Sequence, residues 1–400
     1  MTELIQLSVA DELLDDRTYH IEFNGHLTNH AKHAVVALAG LGASPEKIKA
    51  YYDGYAKLTP YGYGLEPQRP QRREITAANW QEFLGQRAHF SAYCSFFDAE
   101  LTRHGLDEVL RRYLPALLPG WVSSFTHATI HLGWGLDAGS RWMTVEGLAY
   151  LAFSFISCHP ERVLAERADD ATAVDSLLRV AEVWDADRDA MNAWVRSVLE
   201  EDDPAIHPEL ARSGLQFRIA RMLAEGHPLA YRTPRWIDTE DVASGWEQLH
   251  YAVTLLYLAA PGDFVLLHLI TSLHAMEQIS LRLPGEHGRE MLRQFWIGLV
   301  CVLSAETAVP SRTKLAALHA AFSSSADTVG SPVWTEEWDR IVARAVEEDE
   351  EHNPKLVYVM RRVWERTGGL SVYRAAAGQF TATPSLPPSF EEPPTEEDNA

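Results

Sequence analysis

Two histidines stand four residues apart in the segment SSFTHATIHLGWGLD, residues 123–137. If this segment is helical, the spacing places the rings of His127 and His131 on one face, about one turn apart, where both can bind one metal ion. The alternative is a pair of core histidines held by hydrogen bonds, because burying neutral imidazoles is costly without partners. The intervening residues are Ala-Thr-Ile, so the segment lacks the glutamate base of an HExxH zinc motif.

Two other segments carry histidines beside apolar runs. His30 lies in HLTNHAKH, at the start of an apolar helical stretch, and His268 lies in the very apolar window GDFVLLHLITSLHAM. A buried histidine in such a window is either hydrogen-bonded to the core or bound to a metal. His274, six residues after His268, faces another side of a straight helix, so the two are not expected to chelate together.

A fourth segment, EEDEEHNPKLVYVMRR, combines His352 with Lys355. Pro354 between them indicates that a helix begins here, and Lys355 opens the apolar run 356–360. The lysine either extends its charged end to the surface or is buried with a lowered pKa. A neutral lysine amine can react with carbon dioxide to form a carbamate, an anionic oxygen ligand much like a carboxylate.

The elements that must position these residues are predicted to be helices. Apolar residues recur with helical spacing, and the period-2 alternation of strands hardly occurs. The helical runs are residues 29–43, 106–118, 144–157, 173–184, 289–306 and 337–364. The sequence therefore predicts a mainly α fold, a multi-helix array with a buried histidine-rich metal site.

The domain organisation is predicted to be simple. No composition shift divides residues 1–380, which are interpreted as a single all-α domain. Residues 381–400 combine five prolines with acidic residues and are predicted to be a disordered tail. Residues 58–75, rich in Pro, Gly and Tyr, are predicted to be an irregular loop.

Composition limits the function classes. The 400 residues carry a formal net charge of −21, which disfavours binding to nucleic acid or to an anionic membrane. Three distant cysteines indicate neither a disulfide framework nor a CxxC metal site, so a reducing, cytoplasmic location is expected. The longest apolar stretches are interrupted by Pro, Gly and Asp, which favours core helices over membrane spans.

Taken in order, four motifs carry a family resemblance: "NH" at 29–30, F-x-HxxIHLGWG at 125–135, DFxLxHxxTS at 263–272 and EHxxKLV at 351–357. Together they resemble the questin oxidase-like family. The resemblance implies a non-haem oxygenase that oxidises aromatic, anthraquinone-like polyketide rings with dioxygen, by Baeyer–Villiger-type insertion or carbon–carbon cleavage. It also implies an iron centre held by histidines and a carboxylated lysine. The implied metal shell is His30, His127, His131, His268, His352 and Lys355.

The implied shell has one histidine more than the four attributed to the family, so one is expected to lie outside the first shell, and the motifs place His131 or His352 there. His127, His131, His268 and Lys355 are the expected catalytic residues. Imidazole suits iron, zinc and copper, and one hard anionic oxygen favours Fe²⁺ over copper. Trp121, Phe125 and Trp134 are candidates for stacking on a flat substrate, although ordinary core aromatics fit the same pattern.

The reductant and two rival functions stay open. No GxGxxG fingerprint occurs, so NADPH as an external reductant would bind unconventionally or serve a partner reductase. Several histidines with a carbamylated lysine also suit a zinc hydrolase that activates water. A non-enzymatic helical binding protein, in which the histidines only fill the core, is the other alternative.

Overall fold

A computed structural model gives the structure of residues 9–200 and 214–383, and helices dominate this part of the chain, as predicted. Residues 9–14 are helical. The further α-helices are α1 (Ala31–Gly40), α2 (Pro45–Lys57), α3 (Phe90–His104), α4 (Leu106–Leu117), α5 (His127–Asp137), α6 (Arg141–Phe153), α7 (Ala173–Ala186), α8 (Arg188–Glu200), α9 (Leu215–Glu225), α10 (Pro228–Tyr231), α11 (Val242–Ala259), α12 (Phe264–Ser280), α13 (Gly285–Ala305), α14 (Arg312–Phe322), α15 (Pro332–Glu347), α16 (His352–Arg366) and α17 (Ser371–Ala377).

Short elements complete the fold. The 3-10 helices are Trp80–Phe83, Arg87–His89, Leu118–Gly120, Pro160–Arg162 and Arg235–Asp238. Strands β1 (Glu22–Phe23) and β2 (Leu27–Thr28) pair antiparallel, with Glu22 opposite Thr28 and Phe23 opposite Leu27. This hairpin leads directly into α1.

Side-chain caps set the starts of several helices. Ser44 precedes Pro45, the first residue of α2, and accepts a hydrogen bond from the backbone N–H of Lys47 at 3.2 Å. Asp263 accepts from the N–H of Leu266 at 2.9 Å and so begins α12. Each cap satisfies an N–H group that the first turn of a helix leaves without a partner.

Helix α5 lies at the centre of the array, packed between α6 and α12. Two glycines allow this close approach. A Cβ at Gly133 would lie 2.4 Å from Cα of Ala275 in α12, and one at Gly147 in α6 would lie 2.4 Å from Cα of Leu132. Because real Cβ atoms do not come this close to a neighbouring backbone, both crossings require glycine. Helix α16 packs against α1 and α12, which completes the surroundings of α5.

The fold confirms some expectations and corrects one. Residues 58–75 form neither helix nor strand, as predicted. The helical run over 337–364 is divided, since α15 ends at Glu347 and α16 begins at His352, close to the helix start that Pro354 predicted. Pro354 explains the second start, because proline is tolerated in the first turn of a helix but breaks its interior. The tail predicted for 381–400 lies outside the described residues beyond Thr383, and the single domain at 1–380 stays a prediction.

No helix within residues 9–200 and 214–383 combines the length and the apolar character that crossing a membrane requires.

Candidate metal centre

Four histidines from separate helices converge in the core. His30 immediately precedes α1, His127 is the first residue of α5, His268 lies in the second turn of α12, and His352 is the first residue of α16. Each offers one ring nitrogen, and these nitrogens all lie within 4.8 Å of one another. All four side chains are buried. We refer to His30, His127, His268 and His352 as the histidine group.

The hydrogen bonds of His127 and His268 leave two bare nitrogens facing each other. Nδ1 of His127 lies 2.6 Å from the carbonyl oxygen of Ser124, and Nδ1 of His268 lies 2.7 Å from that of Phe264. Carbonyl oxygens only accept, so both Nδ1 atoms carry the single hydrogen of a neutral imidazole. The two Nε2 atoms then present lone pairs to each other at 2.9 Å. Such a contact is unfavourable unless a positive charge lies beside both nitrogens.

His352 shows the same arrangement with a carboxylate in place of a carbonyl. Its Nδ1 donates to Oε1 of Glu350 at 2.5 Å. Its Nε2 is buried and has no hydrogen-bond partner among the described residues. Metal-binding histidines commonly donate their second ring N–H to a carboxylate or carbonyl, which fixes the tautomer and the ring orientation. Three members of the histidine group therefore show the geometry of metal ligands.

Burial also sets the charge of the group. It lowers the pKa of all four imidazoles well below the ordinary value of 6.5, and neighbouring positive charge at Lys355 lowers these values further. The rings are therefore neutral at physiological pH, which is the form that binds a metal.

The backbone before α5 adopts a strained conformation that orients the ring of His127. Ser124, Phe125 and Thr126 have φ values of 50°, 52° and 66° in succession, in the left-handed region that residues other than glycine rarely occupy. Each such residue costs on the order of 1–3 kcal/mol, and such strain clusters at functional sites. The turn directs the carbonyl of Ser124 at the ring of His127, so the strained backbone fixes a member of the histidine group.

Lys355 lies beside the group rather than at the surface. The residue is fully buried, and its Nζ is 3.0 Å from Nδ1 of His30. Burial lowers the pKa of Lys355 to about 8, against the opposing effect of Glu351 and Glu350. Burial in turn raises the pKa of Glu351 to about 8 and that of Glu350 to about 7. A free amine is therefore accessible to Lys355 near neutral pH, which the surface alternative would not provide.

The structure places His131 outside the histidine group, although its i, i+4 spacing to His127 would allow the two rings to bind one metal ion. Both nitrogens of His131 face other partners: Nδ1 lies 3.0 Å from Nε2 of His33, and Nε2 lies 3.1 Å from Oε2 of Glu146. The i, i+4 spacing does not determine this outcome, because His127 sits at the strained start of α5 whereas His131 faces α1 and α6.

Of the three predicted substrate aromatics, Phe125 lies closest to the histidine group, with its ring centroid 4.6 Å from that of His268. Trp121 is fully buried, donates to the carbonyl of Gln294 and stacks on Phe295. Trp134 is also fully buried and donates to the carbonyl of Thr271. Both tryptophans therefore pack the core, as the alternative interpretation allowed.

A cavity of about 980 Å³ lies between α2 and the segment that connects α15 to α16. Tyr51 and Tyr55 line one side with nearly parallel rings, and Glu350 lines the other. The hydroxyl of Tyr55 lies 3.4 Å from the backbone nitrogen of His30, and Glu350 holds His352. The cavity thus adjoins the histidine group through two residues, and it extends to Thr383, the last described residue.

Some residues of the site were missed by sequence reasoning. Glu350 and Glu351 stand directly before His352, and their position two and one residues ahead of a histidine was an available signal. His33 is not in the predicted metal shell, although it lies three residues from His30, close to one helical turn. The roles of Glu146 and of the carbonyl of Ser124 could not be predicted from the sequence, because they depend on contacts between distant helices.

The donor set fits a transition metal. It comprises neutral imidazoles whose outer nitrogens are held, together with a buried amine that can become an anionic oxygen ligand. Imidazole suits iron, zinc and copper. His30, His127, His268 and His352 would hold the ion, and Lys355 lies where an oxygen ligand derived from its amine could join them.

Comparison with known proteins identifies the family of the chain. The chain is 31% identical over 159 residues to a Baeyer-Villiger monooxygenase of Aspergillus aculeatus, covering 36% of this chain and 33% of that protein. It is 29% identical over 163 residues to a Baeyer-Villiger oxidase of Paecilomyces divaricatus, covering 36% and 34%. The alignments thus span about a third of the length of each relative. The model of the questin oxidase-like family matches residues 27–360, and the chain belongs to that family.

Proposed function

We propose that this protein is an iron-dependent oxygenase that carries out Baeyer–Villiger-type oxidation or carbon–carbon cleavage on the ring of an aromatic, anthraquinone-like polyketide. The proposal that the protein binds a metal is supported chiefly by His127 and His268. Their Nε2 atoms face each other at 2.9 Å, and both Nδ1 atoms are hydrogen-bonded to backbone carbonyls. Family membership and the names of the relatives support the oxidative part.

The histidine group is the proposed ligand set, and Lys355 supplies one further ligand as a carbamate. In the modification, the free amine of Lys355 attacks carbon dioxide, a nitrogen–carbon bond forms and one proton leaves. The resulting anion offsets part of the charge of Fe²⁺ in a buried site, where an uncompensated charge is costly. Bound iron supplies the one-electron chemistry for using dioxygen that a flavin supplies in other oxygenases.

The substrate is proposed to enter through the cavity beside Tyr51 and Tyr55, whose rings offer a flat apolar surface. Phe125 and Phe264 lie against His268, with Phe264 at a centroid distance of 4.3 Å. These rings exclude water from the side of the histidine group formed by α5 and α12. Exclusion of water protects reactive species from hydrolysis.

The overall reaction requires an external reductant. One oxygen atom of dioxygen is inserted between the carbonyl carbon and the neighbouring ring carbon, and the other leaves as water. The two electrons and one of the two protons come from NADPH as a hydride, directly or through a partner reductase, and the second proton comes from solvent.

The proposal is tested with protein reconstituted with Fe²⁺ under anaerobic conditions and mixed with hydroxylated anthraquinones, NADPH and oxygen-18-labelled dioxygen. We expect dioxygen consumption and a product that carries one labelled oxygen atom. Hydrolysis without dioxygen, by zinc-loaded protein, would instead identify the zinc hydrolase. Protein that binds no stoichiometric metal and consumes no dioxygen would contradict the proposal and leave the helical binding protein as the alternative.

A further inference from the structure

A line of buried polar contacts connects the histidine group to a carboxylate outside it. Nδ1 of His30 lies 3.3 Å from Nδ1 of His33, Nε2 of His33 lies 3.0 Å from Nδ1 of His131, and Nε2 of His131 lies 3.1 Å from Oε2 of Glu146. The three outer residues are between 0% and 2% exposed. We call His33, His131 and Glu146 the relay.

The partners of Glu146 fix the direction of the hydrogen bond at this end of the relay. Lys32 donates to Oε2 of Glu146 at 2.7 Å, and the indole N–H of Trp142 donates to Oε1 at 2.9 Å. A carboxylate that receives these donors acts as an acceptor, so Nε2 of His131 carries the hydrogen. Nδ1 of His131 is then a bare acceptor.

The positions of the hydrogens on His33 and His30 follow from that of His131. Because Nδ1 of His131 accepts, Nε2 of His33 must donate, and Nδ1 of His33 is left as an acceptor facing Nδ1 of His30. A hydrogen bond across that contact requires the hydrogen of His30 to be on Nδ1, since a neutral imidazole carries only one. Nε2 of His30 is then bare, as it is in His127 and His268.

We infer that Glu146 is a positioning residue for the histidine group: acting through His131 and His33, it holds the hydrogen of His30 on Nδ1 and leaves Nε2 free to bind a metal ion. Nζ of Lys355 lies 3.0 Å from the same Nδ1, so His30 has two competing partners there. The relay favours the hydrogen bond to His33, and so the tautomer of His30 with its hydrogen on Nδ1, in which Nε2 can bind a metal ion. The role in metal binding rests on the proposed function, whereas the tautomer assignment does not.

The protein contains a matched control. Nε2 of His250 lies 3.0 Å from Oε2 of Glu277, and Arg366 donates to the other oxygen of Glu277 at 2.6 Å. This is the same combination of histidine, carboxylate and cation, and His250 and His131 are both 1% exposed. Nδ1 of His250 has no hydrogen-bond partner among the described residues, so this pair leads to no further ring.

The experiment compares His131→Leu with His250→Leu in the full chain. Histidine labelled with nitrogen-15 reports the tautomer of each ring by NMR in metal-free protein, and titration with Co²⁺ reports affinity and the visible ligand-field spectrum. In His131→Leu we expect His30 to shift towards the Nε2–H tautomer, Co²⁺ affinity to fall about 10-fold and the cobalt bands to move. In His250→Leu we expect the His30 tautomer and the cobalt bands to be unchanged.

The outcomes separate the inference from the proposed function. If the wild type binds one Co²⁺ and His131→Leu changes neither the His30 tautomer nor the affinity, the relay inference is wrong and the metal site stands. If the wild type binds no Co²⁺, the proposed function fails while the tautomer comparison still decides the relay. Should His131→Leu not fold, Glu146→Gln removes the charge with little change of shape and is judged by the same readouts.

Discussion

Two kinds of buried histidine lie side by side in this fold. His250 and His274 each place Nε2 against a carboxylate, at 3.0 Å from Glu277 and 3.1 Å from Asp137. We call these the carboxylate-paired histidines. In the histidine group, by contrast, His127 and His268 use Nδ1 for carbonyl acceptors and turn their Nε2 atoms towards each other. His268 and His274 even share helix α12.

The difference shows that burial alone does not identify a ligand. A carboxylate-paired histidine gains its stabilisation within the protein, because its donor meets an ionised acceptor. The histidine group keeps bare nitrogens in the core, which costs free energy unless another species binds them. We therefore expect substitutions of the carboxylate-paired histidines to change stability, and substitutions in the histidine group to change metal binding.

The largest expected effect follows from removing one member of the histidine group. His127→Ala should weaken Fe²⁺ or Co²⁺ binding by more than about 100-fold, beyond the loss that follows removal of an outer partner. Isothermal titration calorimetry under anaerobic conditions measures the affinity. The matched variant His250→Ala should lower the melting temperature and keep the metal. Equal metal loss in both variants would show that the histidine group has no special role.

Next in size is the contribution of the pair formed by His250 and Glu277. Burial alone would raise the pKa of Glu277, but His250 and Arg366 hold it at about 2, below the ordinary 4.5. A lowered pKa stabilises the folded state above the unfolded value, and this stabilisation is lost as pH falls from 4.5 towards 2. Glu277→Gln should therefore cost at most about 3 kcal/mol at pH 7.

Urea unfolding of wild type and Glu277→Gln between pH 7 and pH 3 measures this contribution. The difference in unfolding free energy should shrink steadily below about pH 4.5. A difference that stays constant over this range would mean that the charge of Glu277 contributes nothing.

A smaller loss of metal is expected for Lys355→Ala, in the range of about 10–100-fold, because the anionic ligand disappears while the imidazoles stay. Formate should restore part of the affinity, since it can enter the vacated space and supply a carboxylate oxygen. It should not restore His127→Ala. Full affinity in Lys355→Ala without formate would show that the lysine is not a ligand.

The smallest expected effect concerns the carboxylate behind His352. At pH 8, above the pKa of about 7 of Glu350, Glu350→Gln should weaken metal binding about 10-fold, because a charged acceptor of the Nδ1 hydrogen makes the ring a better ligand. Co²⁺ titration measures this loss, with Glu277→Gln as the control of equal chemistry elsewhere. A larger loss in the control than in Glu350→Gln would reverse the assignment.

The sequence predicted most of the fold, and the predicted metal shell includes all four members of the histidine group. Helical periodicity located the main helices, and the motifs around His30, His127, His268 and His352 placed these residues together through family resemblance. The spacing of His127 and His131 left open whether both bind one metal ion, because a period of one turn puts two rings on one face but does not determine which neighbouring helix each ring contacts. The packing of α5 between α6 and α12 decides that.

The relay and the strained turn could not be predicted from residue types. Glu146 is one of many glutamates, and its role arises only where α6 meets α5 and α1. Likewise, nothing in the residues Ser-Phe-Thr signals three successive left-handed conformations, since none of them favours that region. Such features follow from tertiary contacts that override local preference.

Whether the histidine group binds iron is measured in protein that is loaded anaerobically with Fe²⁺ and freed of excess by gel filtration. Its metal content is determined together with its X-ray absorption spectrum. We expect one iron per chain with several imidazole nitrogens among its nearest neighbours, and loss of that iron in the double variant His127→Ala, His268→Ala. Iron that stays bound in the double variant, or wild-type protein that retains none, would contradict the proposed metal site.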